Sequence, residues 1–434
     1  MSLTPFPQMP FSMSSSTDPV FPQPKLLSVA DGMPLYVLRS DYHEAVRIDV
    51  VVEGGQWEQE KLLQALFTNR LLREGTHAHT SSQLAELLDY YGAWLELSVS
   101  AHHSFITLYT LRRFAGETCR LLAEMLADPV FPEERLSIIK ANNKNQHLVN
   151  CRRGDVLSRR MLYSAIYGTG HPCGHFAEAD DFEAVSRQDL ERFHTAFYTQ
   201  GHISVYLSGN VDDDVIKAAG ELRFAKASPS LCPPFQPLIA TPSLHSQLSI
   251  PASPLRLKQP DAVQASVCMG RLMMDADSDD YFAMRVVSTL LGGYFGSRLM
   301  TLLREEKGYT YNIGADLLTN TRQVLFNVYC EALADKGDEV VDFVRSECRR
   351  LGTELVSEEE LSTVRHYMEG ELLRNYEGAF ALVDASIFVH TLGLGSDHLE
   401  RTLATLRTID APTIRDVAAR WLDADTLVAA VVAP

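Results

Sequence analysis

One short segment combines two histidines with a thiol, residue types that bind soft metal ions or act as base and nucleophile. His171, Cys173 and His175 occur in the sequence HPCGH. Imidazole nitrogen and thiolate sulfur are ligands that suit Zn²⁺ or Cu⁺. No carboxylate lies beside them, however, and Pro172 could shape a loop that holds the same residues without a metal. An adventitious or regulatory metal site and a structural loop are both open interpretations.

The remaining histidines offer no complete catalytic motif. None of the 14 belongs to H-x-x-E-H or H-E-x-x-H, in which two histidines one helical turn apart bind zinc beside a glutamate base. His366 and Glu369 share a helix face, but the next position is glycine, so we interpret the pair as a solvated surface. His102 and His103 would point to opposite faces of a strand and cannot chelate one ion together.

The composition is that of a folded protein with an acidic surface. The 434 residues are 46% hydrophobic and 22% charged, and roughly 150 residues per domain predicts two or three domains. The net charge of −17 argues against binding to nucleic acid or anionic lipid. Residues 1–25 lack the basic start and apolar core of a secretory signal. Seven widely spaced cysteines favour reduced thiols, so we expect a cytoplasmic protein.

Proline is concentrated in two segments of the chain. Of the 20 prolines, six fall in residues 1–25 and eight between Pro229 and Pro260. Because proline breaks helices and cannot donate a hydrogen bond within a sheet, these segments should lie outside the regular structure. We therefore expect a flexible tail over residues 1–25, a first body over 26–225, a linker over 226–260 and a second body over 261–434.

The two bodies show the same order of predicted elements. The first opens with an alternating strand at residues 46–52, and in both bodies a helical stretch then ends in Leu-Leu-Arg-Glu, at 71–74 and 302–305. Two strands, a long helix, a helix with an acidic first turn, and a closing helix and strand follow in each. We predict a duplicated unit with an α+β fold, one mixed sheet in each half and helices on one face of it. Two unrelated α+β domains are the alternative.

Short motifs in both halves follow one known pattern. DGMPLYVL at residues 31–38 opens the first half. In the second half, GGYFGSRL at 292–299 is followed by LRE at 303–305 and GYTY at 308–311. Over residues 26–434 these motifs resemble the short, processing-peptidase-like branch of the pitrilysin/insulinase family of inverted zinc metallopeptidases. The resemblance implies a clamshell built from two homologous α/β-sandwich halves.

The zinc motif of that family is missing from this sequence. In the family, H-x-x-E-H supplies two zinc ligands and a glutamate base, and a glutamate further along the chain is the third protein ligand. The resemblance places Leu66, Asn69 and Arg70 at the first histidine, the glutamate and the second histidine. Ala141 falls nearest the position of the further glutamate. We therefore expect no catalytic residue and no cofactor in this chain, with zinc held by a partner subunit.

The substrate-binding motif of the second half is retained. In the family, an arginine and a tyrosine that follow the glycine-rich segment bind the substrate carbonyl near the scissile bond, and Arg304 and Tyr311 occupy these positions. A guanidinium and a phenol hydroxyl directed at a developing oxyanion would stabilise the transition state. Tyr309, two residues away and expected on the same strand face, is a weaker candidate. Alternatively, Arg304 ends a helix and Tyr311 packs on a half-buried strand.

Three glycines of the same motif would allow a tight turn and a close backbone approach, either as a substrate-side loop or only for packing. They are Gly292, Gly293 and Gly296.

The asymmetric loss of motifs predicts one subunit of a two-chain peptidase. A chain drifting without function should have lost both motifs alike. We expect a zinc-bearing paralogue to supply metal and base, while this chain supplies Arg304 and Tyr311 to a chamber that admits unfolded peptides. A non-enzymatic scaffold or peptide-binding protein is the alternative. A third possibility is a metal- or thiol-dependent enzyme based on His171, Cys173 and His175.

Overall fold

Two mixed sheets form the framework of the protein. The computed structural model describes residues 21–28, 33–220, 222, 254–319 and 321–434. Most of the predicted tail, and the predicted linker up to residue 253, lie outside these residues. Within them, the strands in chain order are β1 (Lys25–Ser28), β2 (Pro34–Arg39), β3 (Ala45–Glu53), β4 (Trp94–Val99), β5 (His103–Leu111), β6 (Ile203–Gly209), β7 (Leu255–Lys258), β8 (Gln264–Asp275), β9 (Thr310–Leu318), β10 (Gln323–Leu333) and β11 (Val428–Ala433).

The two sheets share one topology. The strand order is β1-β2-β6-β3-β5-β4 in the first and β7-β11-β8-β10-β9 in the second. In the first sheet, β2 and β6 are parallel and all other neighbours are antiparallel. The second sheet repeats this pattern, with β7 parallel to β11 and the rest antiparallel. Once β1 is set aside, both the order and the directions agree, and the predicted α+β fold with two homologous halves is confirmed.

Helices connect the strands and cover the sheets. Within the described residues, those before the predicted linker are α1 (Gln64–Leu71), α2 (Ser81–Tyr91), α3 (Ala115–Ala127), α4 (Glu133–Asn150), α5 (Gly154–Tyr167), α6 (Asp181–Ala184), α7 (Arg187–Phe193) and α8 (Asp213–Gly220). Those after it are α9 (Asp279–Ser288), α10 (Gly337–Thr353), α11 (Glu358–Asn375), α12 (Ala379–Thr391), α13 (His398–Thr408) and α14 (Ala411–Trp421).

Each sheet is covered on one face by helices of its own half and on the other by a helix of the opposite half. Val46, Ile48 and Val50 of β3 point into the core shared with the helices of the first half. On the other face of this sheet, α12 packs on β2 and β6. In the second sheet, α5 packs in the same way on β8 and β11. The sequence patterns predicted helices on one face only and did not reveal this exchange.

A buried ion-pair network joins the first sheet to α12. The guanidinium of Arg47 donates to Asp49 on the same strand at 2.8 and 3.0 Å, and to both carboxylate oxygens of Asp384 on α12 at 2.5 and 2.9 Å. Thr107 on β5 also donates to Asp49, at 2.7 Å. Burial raises the pKa of Asp49, so a charged carboxylate inside the protein depends on the Arg47 cation. The network therefore fixes α12 on a sheet that belongs to the other half.

We expect Arg47→Leu to lower the free energy of unfolding by about 3–5 kcal/mol, because it leaves the Asp49 carboxylate buried without a cation. Urea denaturation measures this change. Asp384→Asn, which alters the half-exposed member of the network, should lower stability by less than about 1 kcal/mol.

The double variant Arg47→Leu/Asp49→Leu is the matched control, because it removes the buried Asp49 carboxylate as well as the Arg47 cation. It should recover most of the stability lost in Arg47→Leu. A loss that is equally large in the double variant would contradict this account of the network.

Candidate functional site

The positions that the resemblance assigns to the zinc motif lie on α1, which packs against α4 and α7. Leu66 is half-buried and presents only an aliphatic side chain. Asn69, at the position of the glutamate base, is fully buried, and its amide nitrogen donates to the Tyr198 hydroxyl at 3.0 Å. An amide held in this way cannot accept a proton from water, so the position has lost its role as a base.

Arg70 places a cation at the remaining motif position. Its guanidinium donates to the side-chain oxygen of Asn143 on α4, and the Asn143 amide donates in turn to the Ile139 carbonyl at 2.7 Å. Burial, together with nearby Arg73, lowers the pKa of Arg70. The expectation that Ala141 stands at the further ligand position is wrong. Ala141 is exposed, and Asn143 is the α4 residue that reaches the α1 motif.

The residues at this place do not fit a zinc ion. A structural or catalytic zinc site needs at least three thiolate, imidazole or carboxylate ligands. Here the side chains are an aliphatic group, two carboxamides and a guanidinium. In the part of the chain that the structure describes, no group of three or more histidine, cysteine, aspartate or glutamate residues could hold a metal ion.

The structure separates the chemical groups of the HPCGH segment. The ring of His171 is buried against Tyr167, with the ring centroids 4.9 Å apart, and its Nδ1 accepts a hydrogen bond from the Cys173 backbone. Burial raises the pKa of Cys173 to about 11, which keeps the sulfur protonated at neutral pH. His175 is directed to the Thr169 carbonyl at 3.0 Å. This geometry favours the structural-loop interpretation over a metal or thiol centre.

Arg304 lies on a π-helical segment, Met300–Glu306, that packs against β9. Its guanidinium carbon lies 4.5 Å above the ring centroid of Phe295, which is 60% exposed. Among the residues described, no carboxylate forms an ion pair with Arg304. The aromatic ring therefore orients the cation without neutralising it.

Tyr311 stands at the start of β9, and 87% of its surface is exposed. The pairing of β9 with β10 shifts register here, because the three steps from Thr310 to Ile313 on β9 lie opposite only two steps, from Cys330 to Ala332, on β10. This β-bulge turns Tyr311 away from the core face on which Ile313 lies.

The expectation that Tyr309 shares a face with Tyr311 is wrong for the same reason. Tyr309 precedes the bulge and packs on the core beside Phe343, and its hydroxyl donates to Glu339 at 2.7 Å. The two phenol groups are therefore on opposite sides of the strand, and Tyr309 is not placed next to Tyr311.

The glycine-rich segment packs closely against β9. An added Cβ at Gly292 would lie 2.8 Å from the backbone nitrogen and Cβ of Ala315, so only glycine allows this close approach to β9. Gly293 and Gly296 are exposed. Arg298 anchors the segment, since it donates to both carboxylate oxygens of Glu360 at 2.7 and 2.9 Å. Sequence reasoning missed this anchor, because nothing local in the sequence links the two residues.

The comparisons with known proteins agree with this architecture. Residues 184–368 match the family model described as "Peptidase M16 inactive domain". The match covers 185 of the 434 residues, from α6 of the first half to α11 of the second. M16 is the pitrilysin/insulinase family, and the predicted resemblance is thereby confirmed. No helix in the described ranges is both long and apolar enough to span a membrane.

Three similar proteins illustrate the range of the family. An uncharacterized zinc protease of Rickettsia felis is 20% identical over 354 residues, covering 80% of this chain and 82% of that protein. The non-peptidase homolog YmxG of Helicobacter pylori is 23% identical over 265 residues, covering 60% of this chain and 59% of that protein. A crystal structure of a peptidase M16 inactive domain from Pseudomonas fluorescens has a TM-score of 0.79 at 20% identity, covering 95% and 98% of the two chains.

We expect that zinc binding can be rebuilt only if the α4 position that the structure identifies is included. The variant Leu66→His/Asn69→Glu/Arg70→His/Asn143→Glu should bind about one zinc ion per chain, because it supplies two imidazoles and a carboxylate from facing helices. Metal analysis after dialysis, followed by competition with a zinc chelator, measures the affinity.

The matched control carries the same three α1 substitutions with Ala141→Glu in place of Asn143→Glu. Its carboxylate would start from an exposed position, so we expect zinc affinity at least about tenfold lower. Equal affinity in the two variants would contradict the assignment of Asn143.

Proposed function

We propose that this protein is the zinc-free subunit of a two-chain M16 peptidase, and that it supplies Arg304 and Tyr311 to the active site of a zinc-bearing paralogue. The observation that carries the proposal is the contrast between the two motifs. The former zinc positions make contacts within the protein, Arg70 with Asn143 and Asn69 with Tyr198. Arg304 and Tyr311, by contrast, present at the surface a cation and a phenol that form no ion pair or side-chain hydrogen bond with the described residues.

The chemistry of this pair suits the polarisation of a peptide carbonyl. When water attacks the carbonyl carbon, negative charge develops on the oxygen, and preorganised donors lower the barrier to that step. Arginine provides a permanent charge with several N–H donors, and tyrosine provides one O–H donor. Phe295 limits the motion of the guanidinium, and the bulge fixes the direction of Tyr311. Both features reduce the reorganisation needed when substrate arrives.

Two requirements of hydrolysis must come from the partner. This chain has neither the ligands for a zinc ion nor the glutamate base at the motif positions. The paralogue would provide both, together with the zinc, and the second half of this chain would face its metal site. Unfolded peptides are the substrates that such a chamber between subunits would admit. A cytoplasmic location remains a prediction.

A scaffold or peptide-binding role is the second candidate. It is favoured by the relative in H. pylori whose name describes it as a non-peptidase homolog. In that case Arg304 and Tyr311 would bind a peptide or a partner protein without any cleavage. Adding this chain to an M16 paralogue would then not increase peptide cleavage.

We expect Arg304→Ala to lower kcat of the reconstituted two-chain enzyme by about 10²–10³-fold, because one donor to the developing oxyanion is lost. Tyr311→Phe should have an effect in the same direction. The assay combines purified chain with its zinc-bearing paralogue and follows cleavage of a fluorogenic peptide with and without chelator.

Arg374→Ala and Tyr42→Phe are matched controls, since they change an exposed arginine and an exposed tyrosine elsewhere in the protein. Both should leave turnover unchanged. Full turnover with the double variant Arg304→Ala/Tyr311→Phe would contradict the proposed role. If the wild-type chain activates no paralogue, the scaffold role is favoured.

A further inference from the structure

Four cysteines of the described part of the chain lie in surroundings that keep a thiol unreactive. Burial raises the pKa to about 11 at Cys173 and Cys330, and to about 12 at Cys268 and Cys348. A thiol with so high a pKa stays protonated at neutral pH, and the protonated form is a poor nucleophile. Cys151 is different, because it is only half-buried and its sulfur contacts two basic side chains.

The two basic groups at Cys151 come from the helices on either side of it. Cys151 directly follows α4, and the Nε2 atom of His147, one helical turn earlier, lies 3.4 Å from its sulfur. From α5, the Nη1 atom of Arg160 donates a hydrogen bond to the same sulfur at 3.1 Å. An imidazole in reach of a thiol can take its proton, and a guanidinium stabilises the sulfur anion that remains. The three side chains therefore form the cluster of an activated nucleophile.

Neighbouring side chains hold both basic groups in place. The guanidinium carbon of Arg160 lies 5.1 Å from the ring centroid of Phe176, and its Nη2 atom donates to Glu178. The ring of His147 packs on Phe182, with 5.1 Å between the centroids. Glu178 offsets part of the charge of Arg160, but its side chain is 70% exposed, so solvent screens this ion pair. The base and the cation are thus positioned at the sulfur before any reagent arrives.

We propose that Cys151 is an oxidation site for hydrogen peroxide, at which His147 and Arg160 activate the thiol. His147 takes the thiol proton, and the sulfur attacks one oxygen of the peroxide. A sulfur–oxygen bond forms while the oxygen–oxygen bond breaks, so an electron pair passes from the sulfur to the peroxide. The departing hydroxide takes the proton back from His147. The products are a sulfenic acid on Cys151 and a water molecule.

The place of this site in the fold gives the oxidation a structural consequence. Cys151 lies in the short connection between α4, which packs in the first half, and α5, which covers the sheet of the second half. Oxidation adds a polar oxygen atom at this connection. Because thiols reduce a sulfenic acid, the change is reversible. The proposal requires neither zinc nor a paralogue, so it does not depend on the proposed function.

The test uses the full chain with Cys232→Ser, because Cys232 lies outside the described residues. The protein is treated with hydrogen peroxide in the presence of dimedone, which traps sulfenic acids as stable adducts. Peptide mass spectrometry then measures the rate of labelling at each cysteine. We expect Cys151 to be labelled at least about tenfold faster than any other cysteine, because the others lack this combination of exposure and activation.

Variants of the cluster separate activation from mere exposure. Arg160→Leu and His147→Gln should each slow the labelling of Cys151 by about tenfold, whereas Arg160→Lys, which keeps the charge, should retain much of the rate. Arg152→Leu is the matched control, since it removes an exposed arginine next to Cys151 in the chain. It should leave the rate unchanged.

Unaltered melting temperatures would show that these variants are folded. Labelling that is spread evenly over the cysteines, no labelling of Cys151, or the same rate in Arg160→Leu as in the parent chain would each overturn the proposal. The first two results are read on a chain in which the cluster itself is intact, so they decide the matter even if a variant does not fold.

Discussion

The two halves depend on each other because each sheet is covered on one face by a helix from the opposite half. The helix α12 covers the first sheet, and α5 covers the second. Separating the halves would expose both apolar faces and would remove Asp384 from its contact with Arg47. Hydrophobic burial and the Arg47–Asp384 ion pair therefore act together to hold one relative orientation.

The same rigid frame explains how the two motifs diverged. Asn69 is buried and Arg70 and Asn143 are half-buried beside α1 and α4, where polar side chains should bond to one another. Arg70 and Asn143 do so, and Asn69 bonds to Tyr198. Arg304 and Tyr311 lie at the surface of β9 and its supporting segment, and neither forms an ion pair or a side-chain hydrogen bond with the described residues. Packing therefore does not explain the presence of these two residues, whereas the proposed role towards an outside peptide would explain it.

The sequence predicted the architecture well because strand patterns and repeated motifs are local signals. The sequence was a poorer guide to contacts between segments that are far apart along the chain. The alternation in β3 places Arg47 and Asp49 on the face opposite Val46, Ile48 and Val50, but it does not reveal that α12 covers them through Asp384. A one-residue bulge places Tyr309 and Tyr311 on different faces of the sheet, and the sequence of the strand does not predict this bulge. The helix crossing that brings Asn143 rather than Ala141 to Arg70 depends on the packing of α1 and α4, which motif spacing does not encode.

Stoichiometric titration of a zinc-bearing M16 paralogue with this chain tests the central claim most directly. Peptide cleavage is followed while wild-type chain is added to a fixed amount of paralogue, and zinc is measured in each purified protein. Complementation predicts no cleavage and no zinc in this chain alone, with turnover that rises and saturates at about one equivalent. Chelator-sensitive cleavage by this chain alone would contradict the account.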